Sequence, residues 1–442
     1  MATFIEPRIL KGFRDFLPAA EIARRNLVEK IEASFRSYGL VPIDTPALEY
    51  TEILLGKGGG ETEKQIYRFK DNGDRDVALR FDLTVPFARF LAEHRAELSF
   101  PFKRYHIGKV WRGENTQRGR YREFTQCDFD TIGSDSAAAD FEILHIMRNT
   151  LLAISGGDVI IRLNHRGLFN RFLSRLGVLD ASVDILRTVD KLTKIGREET
   201  LALLSQSVGD SKAREILDFI GIQGGFDETL VAMTAAAGPC PESERLGLIR
   251  SFMTDAGIAD CIVLDPSITR GLDYYTGVVF ESFLADMPGI GSVCSGGRYD
   301  NLVGLYSADQ RSPLTGVGAS IGIDRLIAGL EALGRLQTEQ SYASAAIACI
   351  AETAGGAYQA LAEKLRKEGI PCEVFLEDEK LTKQFQFAEK KGLRWLIIPN
   401  AEKPLASALT LRDLSKRENR EGLTVEEVIV ILKKGDQKSP DT

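Results

Sequence analysis

One stretch of the sequence combines aromatic, amide and acidic side chains at spacings suited to binding a long ligand. Residues 102–112 and 121–132 alternate like two strands of a hairpin around the polar loop 113–120. Alternation predicts that five side chains of the second strand share one face: Arg122, Phe124, Gln126, Asp128 and Asp130. The distance from Phe124 to Asp130 is ~20 Å along a strand. Aromatic stacking at one end and hydrogen bonding at the other would therefore suit a ligand with two heads.

A cation and an acid are predicted at the loop end of the first strand, in Arg112 and Glu114. The planar guanidinium of an arginine can clamp a phosphate group between two N–H donors. The segment 102–122 holds seven basic residues against the single acid Glu114, although the whole chain has a net charge of −7. The same pattern would also fit an amphipathic hairpin with one solvated face. The residues alone leave these two interpretations open.

The elements around the hairpin are predicted from apolar periodicity. Residues 20–39 have apolar positions at helical spacing and a natural stop at Gly39. Residues 78–85 alternate apolar and polar side chains, which predicts a strand whose polar face carries Arg80, Asp82 and Thr84. Short helical patterns fill the stretch from 168 to 258, which we interpret as a helical insertion.

Strand patterns return after the insertion. We predict strands at 261–264, 274–283 and 316–321, a glycine-rich turn at 295–300, and a helix over about 323–333. After a linker, apolar strands alternate with helical stretches, which predicts a C-terminal α/β domain of about 100 residues. The predicted domains are residues 1–167 with 259–330, the insertion 168–258, the linker 331–343, and the C-terminal domain 344–442.

The composition limits the class of protein. The six cysteines form no C-x-x-C pair, which argues against a zinc site and a disulfide framework and fits a reducing cytosol. No apolar run approaches the ~20 residues needed to span a bilayer. The first residues show neither the basic nor the apolar region of a secretory signal, so we expect a cytoplasmic protein without membrane contact.

Several motifs together carry a resemblance to a known family. Trp111-Arg-Gly-Glu, the loop and Arg122-Glu-Phe resemble motif 2 of the class II aminoacyl-tRNA synthetases. The run Arg270-Gly-Leu-Asp-Tyr-Tyr-Thr-Gly resembles the most specific signature of the histidyl-tRNA synthetases. Ser295-Gly-Gly-Arg-Tyr-Asp and the run 316–326 are similar to that family's glycine-rich turn and motif 3. Lys11-Gly-Phe-Arg-Asp-Phe-Leu-Pro and Pro46-Ala-Leu-Glu match it as well, so the resemblance covers nearly the whole chain.

The resemblance implies a fold and an activity. The fold would be an α+β catalytic domain with the antiparallel sheet of class II synthetases, the helical insertion, and a C-terminal α/β anticodon-binding domain. The activity would be the activation of L-histidine by ATP with Mg²⁺ and its transfer to tRNA(His), in a homodimer joined near Pro46.

The resemblance also implies roles for individual residues. On the ATP side, Arg112 would bind the α-phosphate, Glu114 the adenine side, and Phe124 and Arg325 the two faces of the adenine ring. On the histidine side, the expected residues are Asp82, Thr84, Arg112, Gln126, Asp130, Arg270, Tyr274 and Tyr275. Arg270 and Arg112 are the expected catalytic cations, because an ionised carboxylate needs no general base to attack phosphorus.

Two features of the sequence suggest other interpretations. The tetrapeptide His106-Ile-Gly-Lys is similar to the class I synthetase box, but it falls in a predicted strand and not at a helix N-terminus. The second interpretation is a non-catalytic member of the same family, a histidine-binding regulatory subunit of ATP phosphoribosyltransferase. That protein would be expected to lack the catalytic arginines and the C-terminal domain, whereas this chain keeps Arg112, Arg270 and Arg325.

Overall fold

A computed structural model describes residues 4–56, 61–268, 274–307, 314–400 and 408–436. The chain divides into two compact units. The first contains Met1–Arg14 and Leu27–Leu336, and the second contains Asp15–Asn26 and Gln337–Thr442. No helix among the described residues has the length and apolar character that a membrane span requires.

The strands and helices up to residue 336 alternate irregularly along the chain. The strands are β1 (Val41–Pro42), β2 (Leu48–Tyr50), β3 (Arg68–Lys70), β4 (Asp76–Leu79), β5 (Phe102–Trp111), β6 (Glu123–Ile132), β7 (Val159–His165), β8 (Ile262–Leu264), β9 (Val278–Leu284), β10 (Cys294–Arg298) and β11 (Gly316–Gly322). The helices are α1 (Pro18–Ser37), α2 (Thr51–Leu55), α3 (Glu61–Gln65), α4 (Thr84–His94), α5 (Ala137–Ser155), α6 (Arg166–Arg175), α7 (Ser182–Val189), α8 (Leu192–Val208), α9 (Asp210–Ile220), α10 (Phe226–Ala237), α11 (Pro241–Asp255) and α12 (Ile323–Ala332).

An eight-stranded sheet forms the centre of the first unit, in the order β1-β5-β6-β11-β10-β9-β7-β8. The pairings are antiparallel except β1 with β5 and β7 with β8. A small antiparallel sheet, β2-β4-β3, lies in the same unit. The mainly antiparallel sheet with flanking helices confirms the predicted class II synthetase-like fold.

The predicted hairpin is confirmed, and its alternation separates two environments. The β5–β6 pairing runs without interruption from Phe102–Ile132 to Trp111–Glu123. On one face, Cys127 and Phe129 are fully buried in a core that also contains Ile31 and Phe35 of α1. Side chains of β6 at even positions therefore point to the opposite face, where the pocket described below lies.

The helices of the predicted insertion do not have a separate core. Buried residues of α6, α9 and α11, such as Phe169, Leu217 and Ile249, belong to the same hydrophobic cluster as the strands β6 and β7. The shared cluster couples the insertion to the sheet. Removing one large buried side chain from such a cluster typically lowers the free energy of unfolding by ~2–5 kcal/mol.

The predicted strand over residues 78–85 is wrong from residue 80 onward. β4 ends at Leu79, and α4 begins at Thr84. Asp82 accepts a hydrogen bond from the Val85 N–H at 3.0 Å, so its carboxylate satisfies a free donor of the first helical turn. The alternating pattern therefore reflects a turn and the first residues of a helix, with Phe81 and Val85 in one small apolar cluster.

The predicted glycine-rich turn at 295–300 is also wrong, because most of it is the central strand β10. A Cβ on Gly296 would lie 2.1 Å from the Gly318 carbonyl oxygen, and one on Gly297 would lie 2.6 Å from the Val278 carbonyl oxygen. These glycines allow three strands to approach closely and are not required for a turn.

The second unit confirms the predicted α/β pattern. Its elements are β12 (Ala345–Ile347), α13 (Gly355–Lys367), β13 (Cys372–Val374), α14 (Leu381–Lys390), β14 (Trp395–Ile398), β15 (Leu409–Asp413), β16 (Glu418–Leu423) and α15 (Val425–Asp436). The sheet order is β13-β12-β14-β15-β16, with parallel pairing of the first three strands and antiparallel pairing of the rest. The sequence analysis did not predict β15, β16 and α15.

Candidate active site

A pocket of about 310 Å³ opens on the polar face of the large sheet. Nine of the predicted site residues line it: Asp82, Thr84, Arg112, Glu114, Phe124, Gln126, Tyr274, Tyr275 and Arg325. The tenth, Asp130, is buried and does not line the pocket. Arg270 lies outside the described residues. Five chain segments far apart in sequence thus converge on one cavity.

One end of the pocket combines an aromatic ring with guanidinium groups. The Arg112 guanidinium carbon lies 5.2 Å from the Phe124 ring centroid, within the range of a cation–π contact. Arg112 Nε donates to the Phe81 carbonyl oxygen at 2.9 Å, which fixes the direction of its side chain. Among the described residues this guanidinium has no further hydrogen-bond partner, so its remaining donors can bind an anionic oxygen at the pocket wall.

Arg325 stands at the start of α12 and faces the same end. Its Nη1 donates to the Ser292 carbonyl oxygen at 2.6 Å. Burial lowers the pKa of Arg325 to about 10, and repulsion by Arg120 and Arg112 adds to the effect, while Glu114 opposes it. Arg112, Arg120 and Arg325 therefore bring three positive charges to this part of the pocket. A bound polyanion would relieve their mutual repulsion.

The N-terminal segment braces this end of the pocket. The Arg14 guanidinium carbon lies 3.3 Å from the Tyr121 ring centroid, and Arg14 forms an ion pair with Asp324. The other oxygen of Asp324 accepts from the Thr125 N–H at 2.8 Å. Asp324 therefore connects the hairpin strand β6, the helix α12 and the segment containing Arg14.

The opposite end is acidic and rich in hydroxyl groups. Asp82 is 1% exposed. Burial raises the pKa of its carboxyl to about 6, and the Val85 N–H and Arg112 partly offset this rise. The Tyr274 hydroxyl donates to Asp82 Oδ2 at 3.5 Å. Burial also raises the pKa of Tyr274 well above its usual value, so the phenol keeps its proton and remains a donor. This end suits a ligand with a cationic or N–H donor group.

Tyr275 and Gln126 complete the wall between the two ends. The Tyr274 and Tyr275 rings make an edge-on contact with centroids 5.0 Å apart. Gln126 Nε2 donates to Ser320 Oγ at 2.9 Å, whereas its Oε1 is buried without a hydrogen-bond partner among the described residues. The free amide oxygen is an acceptor that a ligand N–H could satisfy.

Asp130 lies beneath the pocket in a buried ion pair. Its Oδ2 is 2.7 Å from Nη2 of Arg104, a side chain with no exposed surface. The Tyr299 hydroxyl donates to Asp130 Oδ1 at 2.5 Å. Burial raises the pKa of Asp130, and the positive charge of Arg104 opposes that shift. In this structure Asp130 supports the pocket floor.

The pocket has further lining residues that the sequence analysis did not single out. They include Arg120, Glu281, Ser292, Ser320 and Asp324. Arg120 belongs to the basic loop, and Asp324 directly precedes Arg325. Their closeness in sequence to predicted site residues could have identified these two. Glu281 and Ser292 had no such signal, because the pairing of β9, β10 and β11 brings them to the pocket.

Comparisons with known proteins agree with this geometry. The family model described as histidyl-tRNA synthetase matches residues 12–326, and the anticodon binding domain model matches residues 344–435. The chain is 54% identical to the histidine–tRNA ligase of Treponema denticola over 89% of each chain. It is 49% identical to that of Treponema pallidum over 94% of this chain and 95% of the relative.

A solved structure gives the same result for the fold. The histidyl-tRNA synthetase from Nostoc sp. PCC 7120 superposes with a TM-score of 0.83 at 31% identity. The match covers 98% of this chain and 100% of the Nostoc chain.

Proposed function

This chain belongs to the histidyl-tRNA synthetase family, and we propose that it activates L-histidine with ATP and transfers it to tRNA(His). It is an ATP-dependent aminoacyl-tRNA ligase in this assignment. The observation that carries the proposal is the convergence of an arginine-rich aromatic end and an acidic hydroxyl-rich end in one pocket. ATP and histidine are complementary to these two ends.

At the arginine-rich end, Phe124 and Arg325 would enclose the adenine ring while Arg112 binds the α-phosphate. A guanidinium above one ring face and a phenyl group against the other combine cation–π attraction with stacking. Glu114 would accept hydrogen bonds on the adenine side. These roles are consistent with the positions of the four side chains in the pocket wall.

At the acidic end, Asp82 and Thr84 would hold the α-ammonium group of histidine. Gln126 and Tyr274 offer an acceptor and a donor to the remaining polar atoms of the substrate, and Tyr275 closes the wall. Asp130, whose carboxylate already holds the Tyr299 hydroxyl and Arg104, would act on the imidazole through its charge and not by direct contact.

The first chemical step needs positioning and charge stabilisation. The histidine carboxylate, which is ionised at neutral pH, attacks the α-phosphorus and pyrophosphate leaves. Arg112 would stabilise the negative charge that accumulates on the phosphoryl oxygens, and we propose Arg270 as the second cation. The adenylate then passes its histidyl group to the terminal ribose of the tRNA.

Further features extend the proposal beyond the pocket. Mg²⁺ would arrive bound to the ATP phosphates. The described residues contain no group of three or more His, Cys, Asp or Glu side chains that could hold a metal ion. The C-terminal domain would bind the anticodon.

Four apolar residues near Pro46 in the sequence or in the small sheet expose between 39% and 49% of their surface: Val41, Leu48, Tyr50 and Phe69. Such an apolar surface suits an isologous homodimer interface. The proposed location is the cytoplasm.

The alternative is a histidine-binding regulatory subunit without ligase activity. Retention of Arg112 and Arg325 in the pocket wall favours the enzyme, since an effector site for histidine has no need of an adenine clamp. Transfer of labelled histidine to a tRNA(His) transcript separates the two. The enzyme forms histidyl-tRNA in an ATP-dependent reaction, whereas a regulatory subunit binds histidine and leaves the tRNA uncharged.

A further inference from the structure

Asp128 is a buried acid beside the pocket with no role in the steps above. It is 2% exposed, and its Oδ1 has no hydrogen-bond partner among the described residues. Its Oδ2 accepts one long bond, 3.5 Å from Thr84 Oγ1. A carboxylate buried with one free oxygen is costly to a fold, so its presence calls for a compensating group.

The groups packed around Asp128 place it next to the acidic end of the pocket. In the sheet register it lies opposite His106 on one side and Ser320 on the other. Thr84 and Ser320 line the pocket directly, and both are neighbours of Asp128, which does not line it.

Several buried charged groups lie close to Asp128. Asp128 interacts electrostatically with two other carboxylates, Asp82 and Asp130, and Arg104 is already the ion-pair partner of Asp130. The further titratable or charged groups that face this cluster are Arg80, His106, Arg112, Tyr274, Tyr275, Cys294, Tyr299 and Tyr306. Burial lowers the pKa of His106 to about 3, so it contributes no positive charge at neutral pH.

We propose that Asp128 is a positioning residue that gives up a proton when the α-ammonium group of the substrate enters the pocket. The ammonium would contact Asp82 and Thr84, and Asp128 would act on it through the Thr84 hydroxyl as a second negative charge. The carboxyl proton of Asp128 goes to solvent, and no covalent bond to the ligand forms. This inference rests on the proposed function, because it takes histidine as the substrate.

The protonation state of Asp128 is suited to this role. Burial raises its pKa to about 7. Arg104 and the Ser320 hydroxyl oppose the shift, and the charges of Asp130 and Asp82 add to it. In the free protein at pH 7, about half of the molecules therefore carry the proton. A cation nearby lowers the pKa of an acid, so binding drives the proton off. By linkage, affinity for the cation rises with pH up to about 7 and then levels off.

The experiment measures the protons released when L-histidine alone binds to the full-length protein at pH 7. Isothermal titration calorimetry in buffers of different ionisation enthalpy gives this number for the wild type and for Asp128→Asn. Subtracting the variant from the wild type cancels the titration of the substrate imidazole. We expect a difference of about half a proton. We also expect an affinity for histidine reduced about tenfold in Asp128→Asn at pH 8, with a smaller loss at pH 6.

A second ligand separates this role from a purely structural one. Imidazolepropionate lacks the ammonium group, so its binding should release no proton from Asp128 in the wild type. This comparison uses only the wild-type protein and does not depend on whether a variant folds. The KM for ATP should be the same in Asp128→Asn and the wild type. Equal proton release in both proteins, or equal release with both ligands, overturns the inference.

The proposed function is tested separately in the same samples. If the wild type supports histidine-dependent exchange of pyrophosphate into ATP but releases no proton from Asp128, only the inference about Asp128 fails. If it neither binds histidine nor supports exchange, the proposed function fails and the inference fails with it.

Discussion

Replacement of Asp130 by asparagine should affect stability and substrate selection together. Asp130→Asn keeps the volume of the side chain and an oxygen that can accept from Tyr299, but it removes the charge that faces Arg104. Both partners of the ion pair are almost completely buried, and their nitrogen and oxygen are 2.7 Å apart. Removing one partner of such a pair leaves an uncompensated charge and typically costs ~3–5 kcal/mol.

The expected free energy of unfolding of Asp130→Asn is therefore lower than that of the wild type by about 3–5 kcal/mol, measured by denaturant titration. Asp74→Asn is a matched control. Asp74 is 92% exposed and its ion pair with Lys70 spans 3.8 Å, so this change should cost less than ~1 kcal/mol. Asparagine also tolerates the positive φ of 58° at position 74.

A double-mutant cycle tests the cause of the loss. Arg104→Met removes the buried cation, and combining it with Asp130→Asn should recover much of the stability, because neither charge then remains unpaired. In the folded single variant, KM for histidine in pyrophosphate exchange should rise about tenfold or more, and KM for ATP should change little. Additive losses in the cycle, or a cost as small as that of Asp74→Asn, would refute the buried-pair argument.

Three further predictions concern other parts of the molecule. Arg325→Gln should raise KM for ATP about tenfold in pyrophosphate exchange and leave KM for histidine nearly unchanged. The control Arg36→Gln, at an exposed position, should change neither KM. An equal effect of Arg325→Gln on the KM of both substrates would contradict the assignment of Arg325 to adenine. Burial lowers the pKa of His165 to about 4. The unfolded chain therefore takes up this proton first, and stability falls as pH drops from about 6.5 towards 4. His165→Asn should reduce the loss between pH 7 and pH 5 by about 2 kcal/mol, and identical pH profiles of melting temperature would disprove this. Arg270→Ala should lower kcat for adenylation about 10²–10³-fold with little change in KM, and it should slow transfer from preformed adenylate less; equal losses in both steps would assign Arg270 to pocket organisation.

The parts of the fold that sequence could predict have strong local periodicity. The β5–β6 hairpin and α12 both combine a clear apolar pattern with turn residues at their ends, and the structure confirms them. Residues 78–85 show the limit of this reasoning. A turn followed by a helix start can bury alternate residues just as a strand does, because Asp82 closes the first helical turn.

Long-range pairing explains most of what the sequence could not give. Gly296 and Gly297 look like turn residues until β9 and β11 are known to lie against them. Asp130 is held below the pocket by its ion pair with Arg104, which lies directly opposite it in the β5–β6 pairing. The sequence predicted the hairpin but not this buried ion pair. The resemblance of short motifs identified residues that converge on the site. It did not predict that Asp82 lines the pocket whereas Asp128 and Asp130 are buried behind its wall.

Pyrophosphate exchange into ATP, measured with each of the twenty amino acids in turn, tests the central assignment most directly. It requires a functional ATP end, a functional amino-acid end and attack on the α-phosphorus in one pocket. We predict that L-histidine supports rapid exchange and that the other nineteen amino acids do not. Exchange driven by a different amino acid, or none with histidine in a folded protein that binds it, would contradict the account.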